Sequence, residues 1–265
     1  QGHWQTIWCL DWSPDGARLV TGSNDQSVRI WGILAGDVKV LQGHEDTIRG
    51  IAWSPNGQNI VSGGKDGQMI VWNAQNGQKL DVFTTDEKYQ VLSVAFSPNG
   101  KMLATASSDN TVYLWNTATW QYEQLTGHTH WVMTVAFSSD GERLASGGVD
   151  QTVILWQLTN QQQLGQVYAS TSLGIDAFRI DGDGTFLYAN ATNRLAAVRD
   201  GATQNMTSSY PGNYSSAAFG RLGGRDVLAL GGRDGAVEFA DLETATLLDV
   251  NIQAAQMAIL SLAIS

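Results

Sequence analysis

The sequence predicts an all-β protein built from repeated units of four short strands, and three observations carry this prediction. An apolar segment ending in Ser-Pro-Asp/Asn-Gly or a near variant recurs at residues 7–16, 48–57, 91–100 and 132–141. Each copy precedes a strand, a tight turn around an Asp and a second strand that ends in Trp, at 19–31, 60–72, 103–115 and 144–156. The turn aspartates are spaced by 41, 43 and 41 residues and are Asp25, Asp66, Asp109 and Asp150.

Each element of this unit has a local physical cause. Proline fixes φ at the first turn, and the Asp/Asn-Gly pair supplies the left-handed positions that a tight hairpin needs. No stretch of helical periodicity competes with the strand pattern. Four short strands in a repeat of about forty residues are typical of a β-propeller.

The repeat weakens in the second half of the chain but keeps its period. Asn193 follows Asp150 by 43 residues, and Asp234 follows Asn193 by 41. Residues 178–198 and 218–239 still alternate strands and turns. We therefore expect one propeller domain over 1–265, with regular repeats at 1–157 and divergent repeats at 158–265.

The end of the chain adds a question about how the ring closes. Residues 258–265 align with 90–97, which form the first strand of a unit. We therefore expect six near-complete four-stranded blades plus the first strand of a seventh, and a seven-bladed ring in a longer parent protein. The alternative is a closed six-bladed ring that carries 258–265 as an added strand.

Composition narrows the class of partner. The chain has 265 residues, of which 43% are hydrophobic and 15% charged, and this balance argues against disorder. A net charge of −10 disfavours nucleic acid and anionic membrane surfaces as partners. The single cysteine, Cys9, permits no intrachain disulfide, which fits a cytoplasmic location. No apolar run is long enough to span a bilayer.

The regular units resemble WD40 repeats. Gly2-His3, Gly43-His44 and Gly127-His128 are each followed 22 residues after the His by the turn Asp, and six residues later by Trp. The resemblance implies a buried tetrad of His, Ser/Thr, Asp and Trp in each such blade. The implied tetrads are His3, Thr21, Asp25 and Trp31; His44, Ser62, Asp66 and Trp72; and His128, Ser146, Asp150 and Trp156.

Other repeats depart from this pattern. The third keeps Thr105, Asp109 and Trp115 but has Glu87 at the His position, and we expect Glu87 to turn outward because two ionised carboxylates repel each other. Repeats five and six carry Arg199 and Ala240 in place of Trp, so we expect apolar packing alone to hold those blades.

Motifs that could carry catalysis or bind ions have simpler structural interpretations. Asp181–Gly184 lacks the spacing of a calcium loop and aligns with the hairpin turns. Gly63-Gly64-Lys65 precedes a strand rather than the helix of a phosphate loop. His130 is expected in a loop, and the sequons at Asn190, Asn205 and Asn213 are expected to be chance. We predict no metal, no cofactor and no catalytic set.

The resemblance also implies which residues surround the channel mouth on one end of the ring, the top face. Three positions per repeat open there: Thr6, Thr47, Gln90 and Trp131; Trp8, Arg49, Leu92 and Met133; and Asn24, Lys65, Ser108, Val149 and Arg233. Trp, Met and Arg are enriched in protein interfaces. The residues predicted to bind a partner are Trp8, Arg49, Lys65, Leu92, Trp131, Met133 and Arg233.

We therefore predict a non-catalytic scaffold or sensor module that binds a protein or peptide on its top face, beside other domains of the parent chain. Two alternatives stay open. Trp8 and Met133 could simply fill the upper core. The chain could also be a propeller enzyme or a small-molecule binder that uses the central channel.

Overall fold

The computed structural model describes residues 2–84 and 89–159, together with nine strands between residues 162 and 253. These residues form six antiparallel four-stranded sheets, each a meander of consecutive strands. We call the sheets blades 1 to 6 in chain order. Residues 258–265, which carry the predicted seventh first strand, lie outside the described residues.

The first three blades contain strands of five or six residues. Blade 1 consists of β1 (Ile7–Trp12), β2 (Arg18–Ser23), β3 (Ser27–Gly32) and β4 (Val38–Gln42). Blade 2 consists of β5 (Ile48–Trp53), β6 (Asn59–Gly64), β7 (Gln68–Asn73) and β8 (Lys79–Thr84). Blade 3 consists of β9 (Val91–Phe96), β10 (Met102–Ser107), β11 (Thr111–Asn116) and β12 (Tyr122–Thr126).

The last three blades continue the same order with more variable strand lengths. Blade 4 consists of β13 (Val132–Phe137), β14 (Arg143–Gly148), β15 (Thr152–Gln157) and β16 (Gln162–Tyr168). Blade 5 consists of β17 (Ile175–Ile180), β18 (Phe186–Asn190), β19 (Arg194–Arg199) and β20 (Ala202–Gln204). Blade 6 consists of β21 (Tyr214–Leu222), β22 (Arg225–Gly232), β23 (Ala236–Asp241) and β24 (Thr246–Gln253).

The first hairpin of each regular blade turns as the Ser-Pro-Asp/Asn-Gly pattern predicts. In blade 1 the Gly16 N–H donates to the Ser13 carbonyl, and the Ser13 hydroxyl accepts the Arg18 N–H at 2.9 Å. The glycines that close these turns have φ between 66° and 74°, a region that favours glycine; they are Gly16, Gly57, Gly100 and Gly141. The same chemistry at equal spacing therefore gives each blade the same first hairpin.

Apolar side chains from neighbouring blades form the core between them. The first strands contact one another in the order β1, β5, β9, β13, β17 and β21. One buried cluster joins blades 1 and 2 through Val20, Ile48 and Ile60, each 0% exposed. The inner strands approach closely, because a Cβ placed on Gly50 would lie 2.9 Å from the backbone of Ser93.

Trp53, the last residue of β5, connects blades 1 and 2. It is 4% exposed, and the Arg18 guanidinium stacks on its ring at 4.7 Å. Arg18 also donates to the Ala74 carbonyl at 2.9 Å. Trp12, Phe96 and Phe137 occupy the same repeat position as Trp53 and are partly buried, and Phe96 and Phe137 pack against buried clusters.

Blade 6 lacks the tetrad Trp and is packed by aliphatic residues. Ala240, which replaces the Trp, is 0% exposed and shares the blade with buried Val227, Leu230 and Val237. In blade 5 the side chain of Arg199 lies outside the described residues. Among the residues that the structure describes, no helix is long and apolar enough to cross a membrane.

Candidate functional site: the tetrads and the top face

The four residues of each predicted tetrad lie together in blade 1. His3 Nδ1 is 2.8 Å from Asp25 Oδ2, and His3 Nε2 is 2.7 Å from Thr21 Oγ1. The Trp31 indole N–H donates to the same Thr21 hydroxyl at 2.8 Å. Hydrogen bonds through the Thr21 hydroxyl and the His3 imidazole thus join four residues that span 28 positions of the sequence.

Blades 2 and 4 repeat this geometry. His44 is 2.8 Å from both Asp66 and Ser62, and Trp72 donates to Ser62 at 2.8 Å. The corresponding distances in blade 4 are 2.9, 2.8 and 2.9 Å, among His128, Asp150, Ser146 and Trp156. The three networks lie in separate sheets, so their histidines do not converge on one ion.

The hydrogen bonds of a tetrad run in one direction. The indole N–H donates to the hydroxyl, the hydroxyl O–H donates to His Nε2, and Nδ1–H donates to the carboxylate, which assigns a neutral imidazole. Burial lowers the pKa of His3 and His128, against the opposing effect of the nearby aspartates. The network is therefore complete when the histidine is uncharged.

Each tetrad carboxylate receives further hydrogen bonds. Burial alone would raise the pKa of Asp25, but hydrogen bonds from Ser27 and His3 outweigh burial and hold it at about 2. Burial opposes a similar lowering of the pKa at Asp66 and Asp150. Backbone N–H groups just after the histidine also donate to the carboxylate, as Glu45 does to Asp66 at 2.8 Å. In blades 1, 2 and 4 the tetrad thus links the loop that precedes the first strand to the turn that contains the Asp by hydrogen bonds.

Blade 3 satisfies its turn aspartate differently. The Tyr113 hydroxyl donates to Asp109 Oδ2 at 2.5 Å, and the Trp115 indole donates to Thr105 at 3.1 Å. Burial and this bond to Asp109 raise the pKa of Tyr113. Sequence analysis missed this role, although Tyr113 stands where blades 2 and 4 have Ile70 and Ile154. Glu87, expected to turn outward, lies outside the described residues.

A β-bulge recurs at the same position of the first strand in every blade. In β1 the pairing passes from Ile7 opposite Ser23 to Cys9 opposite Gly22, so Trp8 has no partner in the ladder. The residues skipped in β5, β9 and β13 are Arg49, Leu92 and Met133. Bulges redirect side chains and are frequent near functional sites. The second predicted position of the top face therefore coincides with a repeated structural irregularity.

The other two top-face positions are hydrogen-bonded to each other. The backbone N–H before the turn Asp donates to the carbonyl before the first strand, as Lys65 does to Thr47 at 2.8 Å and Val149 to Trp131 at 2.8 Å. The Thr47 hydroxyl also donates to Asn24 of blade 1. These bonds hold the two loops of each blade at the same end of the strands.

The predicted binding residues differ in exposure. Trp131 is 42% exposed, Val149 is 38% exposed and Lys65 is exposed, whereas Met133 is partly buried. Leu92 was expected on the surface, but it is 5% exposed and its side chain packs in the core. Thr47 is also buried, at 4% exposed, because its hydroxyl reaches Asn24. Arg233 lies outside the described residues.

Trp8 and Arg49 form a stacked pair across blades 1 and 2. The Arg49 guanidinium lies 4.1 Å from the centre of the Trp8 ring, and both residues are partly buried. Burial lowers the pKa of Arg49. The pair is neither fully buried nor fully exposed, so its burial is compatible both with a binding role and with packing in the upper core.

Cys9 and Asp11 lie on the same strand as Trp8, and the sequence pattern assigns neither of them to a site. Burial raises the pKa of the Cys9 thiol to about 12, and its Sγ donates weakly to the Gly22 carbonyl. Burial raises the pKa of Asp11 to about 6, against hydrogen bonds from the Trp53 and Trp12 N–H groups at 2.7 and 2.9 Å. Asp11 stands where the other regular repeats have Ala52, Ala95 and Ala136.

The motifs set aside by sequence analysis have the following positions. His130 is exposed in the loop before β13, and its Nδ1 accepts the Trp131 N–H at 2.7 Å. Gly63-Gly64-Lys65 ends β6 and enters a turn before β7. Within the described part of the chain, no group of three or more His, Cys, Asp or Glu side chains is arranged to hold a metal ion. Residues 181–184, 205 and 213 lie outside the description.

Four-stranded meanders with a repeated His–Ser/Thr–Asp–Trp tetrad define a WD40-type β-propeller protein. Residues 7–172 match the model of a family described as the second β-propeller of echinoderm microtubule-associated proteins, and the chain belongs to this family. A 36-residue segment is 61% identical to a ribosome biogenesis protein, ERB1, of the yeast Debaryomyces hansenii. That match covers 14% of this chain and 4% of the yeast protein, about the length of one repeat.

Proposed function

We propose that this propeller is a non-catalytic interaction module that binds a protein or peptide on its top face. The observation that carries the proposal is the bulge repeated in every first strand, which turns one side chain per blade out of the ladder at the same level. Trp8, Arg49 and Met133 occupy this level, and exposed Trp131, Lys65 and Val149 surround it. Aromatic and Arg side chains around a rigid frame are typical of binding hot spots.

A comparison of variants tests this proposal by capture of partners from the source cell. We expect Trp131→Ala and Arg49→Ala to lose proteins that the wild type retains, because truncation of an anchor residue costs about 2 kcal/mol or more in binding. The control is Leu34→Ala, since Leu34 is 97% exposed in the β3–β4 turn at the opposite end of the strands. If all three variants keep the same partners while melting like the wild type, the binding face lies elsewhere.

A rival function, catalysis or small-molecule binding in the channel, has one observation in its favour. Cys9, Asp11 and Arg49 have shifted pKa values and lie on adjacent first strands. Each of them already has a structural partner, however: the Gly22 carbonyl, two backbone N–H groups and the Trp8 ring. A thiol with a pKa of about 12 is also not a thiolate near neutral pH. We therefore favour the interaction module.

The setting of the module completes the proposal. We propose a cytoplasmic protein and, from the alignment of 258–265 with the first strand of a unit, a ring of seven blades. An experimental structure tests the blade count: a six-bladed ring in which blades 1 and 6 pack directly together would contradict it.

A further inference from the structure

Arg49 is a partly buried cation at the bulge of β5, and its hydrogen-bond donors are unused. Its guanidinium lies 4.1 Å from the centre of the Trp8 ring. Among the residues that the structure describes, Arg49 forms no ion pair and no side-chain hydrogen bond. Stacking occupies the flat face of a guanidinium and leaves the N–H groups on its edge available. Arg49 is thus oriented by Trp8 and retains donors for a further group.

The strands that surround Arg49 belong to the described part of the chain. β5 packs extensively against β1, β2, β6 and β9. The bulge residues of the two flanking first strands are Trp8 in β1 and Leu92 in β9, and Leu92 is 5% exposed. On β6, Gly63 and Gly64 pair with the residues on either side of Arg49. At the level of Arg49 these strands therefore provide an aromatic, an aliphatic and two glycine residues, and no carboxylate.

The charge of Arg49 is partly shielded from water and is not balanced by its neighbours on these strands. Burial lowers the pKa of Arg49, and the Cys9 thiol acts in the opposite direction. That thiol has a pKa of about 12, so it is uncharged near neutral pH and does not compensate the guanidinium. A charge among apolar neighbours is less screened than a charge in water, and it attracts an opposite charge more strongly. The site therefore favours an anion.

An anion can reach the guanidinium from solvent. In the described part of the chain, the buried side-chain nitrogens without a hydrogen-bond partner belong to Trp8, Trp53 and Arg143. The nitrogens of Arg49 also lack a partner but are not among them, so they contact solvent. The Trp8 indole nitrogen is buried, and the ring therefore acts as a platform while Arg49 supplies the donors.

A second cation lies at the same end of blade 2. The Lys65 N–H donates to the carbonyl of Thr47, two residues before Arg49, at 2.8 Å. The Lys65 side chain is exposed and forms no ion pair with any described residue. Asp46 in the facing loop accepts the Thr47 N–H at 2.6 Å. Two cations thus lie on paired loops of a protein whose net charge is −10.

We propose that Arg49, held by the Trp8 ring and assisted by Lys65, binds the carboxylate of an Asp or Glu side chain in a protein partner. A guanidinium donates two parallel N–H bonds to a carboxylate, which fixes the orientation of the bound group as well as its position. The apolar side chains of Trp8 and Leu92 on either side strengthen this pair by excluding water. The inference rests on the proposed top-face function and narrows its partner to an acidic segment.

The experiment is a titration of the full chain with an N-acetylated, C-amidated peptide that carries one central Glu between alanines. The matched control is the same peptide with Gln, which keeps the shape and removes the charge. Binding is followed by the indole N–H resonance of Trp8, assigned by its loss in Trp8→Phe. We expect a saturable shift with the Glu peptide and none with the Gln peptide. Equal shifts with both peptides, or no saturable shift with the Glu peptide, would contradict the proposal.

Variants assign the effect to Arg49. Arg49→Met should fold, because Leu92 and Met133 occupy the same bulge in blades 3 and 4, and it should weaken binding of the Glu peptide by about tenfold or more. Arg49→Lys keeps the charge but loses the planar fork, so its binding should be intermediate. The control is Lys101→Gln, which removes an exposed cation in the β9–β10 hairpin and should leave binding unchanged. Full binding by a folded Arg49→Met protein would overturn the proposal.

Two further comparisons separate this proposal from its neighbours. Saturable binding of inorganic phosphate, with none of the Glu peptide, would identify a phosphate site and overturn the carboxylate assignment. Capture of partners from the source cell compares Arg49→Met with Trp131→Ala. If Trp131→Ala loses proteins that Arg49→Met retains, the carboxylate site is wrong and the top-face function stands. If both variants retain every protein, the top-face function is wrong as well.

Discussion

At the residue scale, each tetrad carboxylate accepts several donors that have no substitute. Asp66 accepts hydrogen bonds from His44 and from the backbone N–H groups of Glu45 and Gln68. An unsatisfied buried donor costs on the order of 1–3 kcal/mol. Removing this carboxylate therefore destabilises the folded state, because an apolar side chain cannot accept the hydrogen bonds of these donors. The tetrads are therefore the residues on which the stability of the regular blades depends most.

We expect Asp66→Ala to lower the free energy of unfolding by on the order of 1–3 kcal/mol, and Glu87→Ala to change it far less. Glu87 stands at the histidine position of the one regular repeat without a histidine, so no tetrad depends on it. Denaturant unfolding of the two variants measures the difference. Equal losses of stability would contradict the tetrad assignment.

Asp11 makes stability depend on pH in the opposite sense to the tetrad aspartates. Burial raises its pKa from an ordinary 3.8 to about 6, so the folded state holds a proton that the unfolded chain releases earlier. The stabilisation is fully present below pH 3.8 and is lost as the pH rises through about 6. Each unit of pKa corresponds to about 1.4 kcal/mol.

Comparison with Asp11→Asn isolates this effect. Between pH 4 and pH 7 we expect the wild type to lose stability relative to Asp11→Asn by on the order of 2 kcal/mol. Asp15→Asn is the control, because the Ser13 hydroxyl lowers the pKa of Asp15 and reverses the sign. A stability difference between wild type and Asp11→Asn that stays constant across this range would refute an ionising Asp11.

Sequence alone predicted the tetrads well and their variant poorly. The fixed spacing of His, hydroxyl, Asp and Trp identifies groups that a fold must bring together, because each buried polar atom needs a partner. Tyr113 could not be assigned in this way, since a tyrosine at a strand position is equally typical of apolar packing. Asp11 likewise depends on backbone N–H groups of the next blade, whose approach the sequence does not encode.

At the element scale, the first strands of neighbouring blades pack so closely that the backbone of one strand limits the size of the side chains on the next. A Cβ on Gly50 would lie 2.9 Å from Ser93 Cα and from Val94 N, both backbone atoms that cannot rotate away. The periodic pattern predicted β5 and β9 as strands, but not this contact. Its cause is the arrangement of neighbouring blades around a shared axis, which brings their inner strands into direct contact.

We therefore expect Gly50→Ala to destabilise the protein by on the order of 1–3 kcal/mol through overpacking between blades 2 and 3. Gly2→Ala is the matched control, since a Cβ there would meet nothing within 4 Å. Thermal unfolding of both variants gives the comparison. A Gly50→Ala protein as stable as Gly2→Ala would mean that β5 and β9 are further apart than the structure places them.

The sequence pattern does not predict which of the proposed binding residues are exposed to solvent. Leu92 shares its sequence position with Arg49 and Met133, yet it is buried, because an aliphatic side chain at the bulge turns into the core while a guanidinium stacks on Trp8. The position of a residue within the repeat predicts how far along the strand it lies in the blade. The chemistry of each side chain decides whether it faces solvent.

At the scale of the whole molecule, the repeat gives a rigid frame in which function depends on loops. The tetrads and the backbone bonds between paired loops hold four loop pairs at one end of blades 1 to 4. Surface loops on a rigid scaffold are where binding residues concentrate. The proposed function therefore depends on a feature of the repeat itself: the β-bulges in the first strands and the backbone hydrogen bonds between the paired loops.

Site-specific photo-crosslinking in the source cell tests the top-face claim most directly. A photoreactive residue replaces either Val149, which is 38% exposed and belongs to the proposed top face, or Leu34, which is 97% exposed in the β3–β4 turn. We expect a discrete protein adduct from position 149 that Trp131→Ala removes, and no such adduct from position 34. Adducts with the same protein from position 34, with none from position 149, would contradict it.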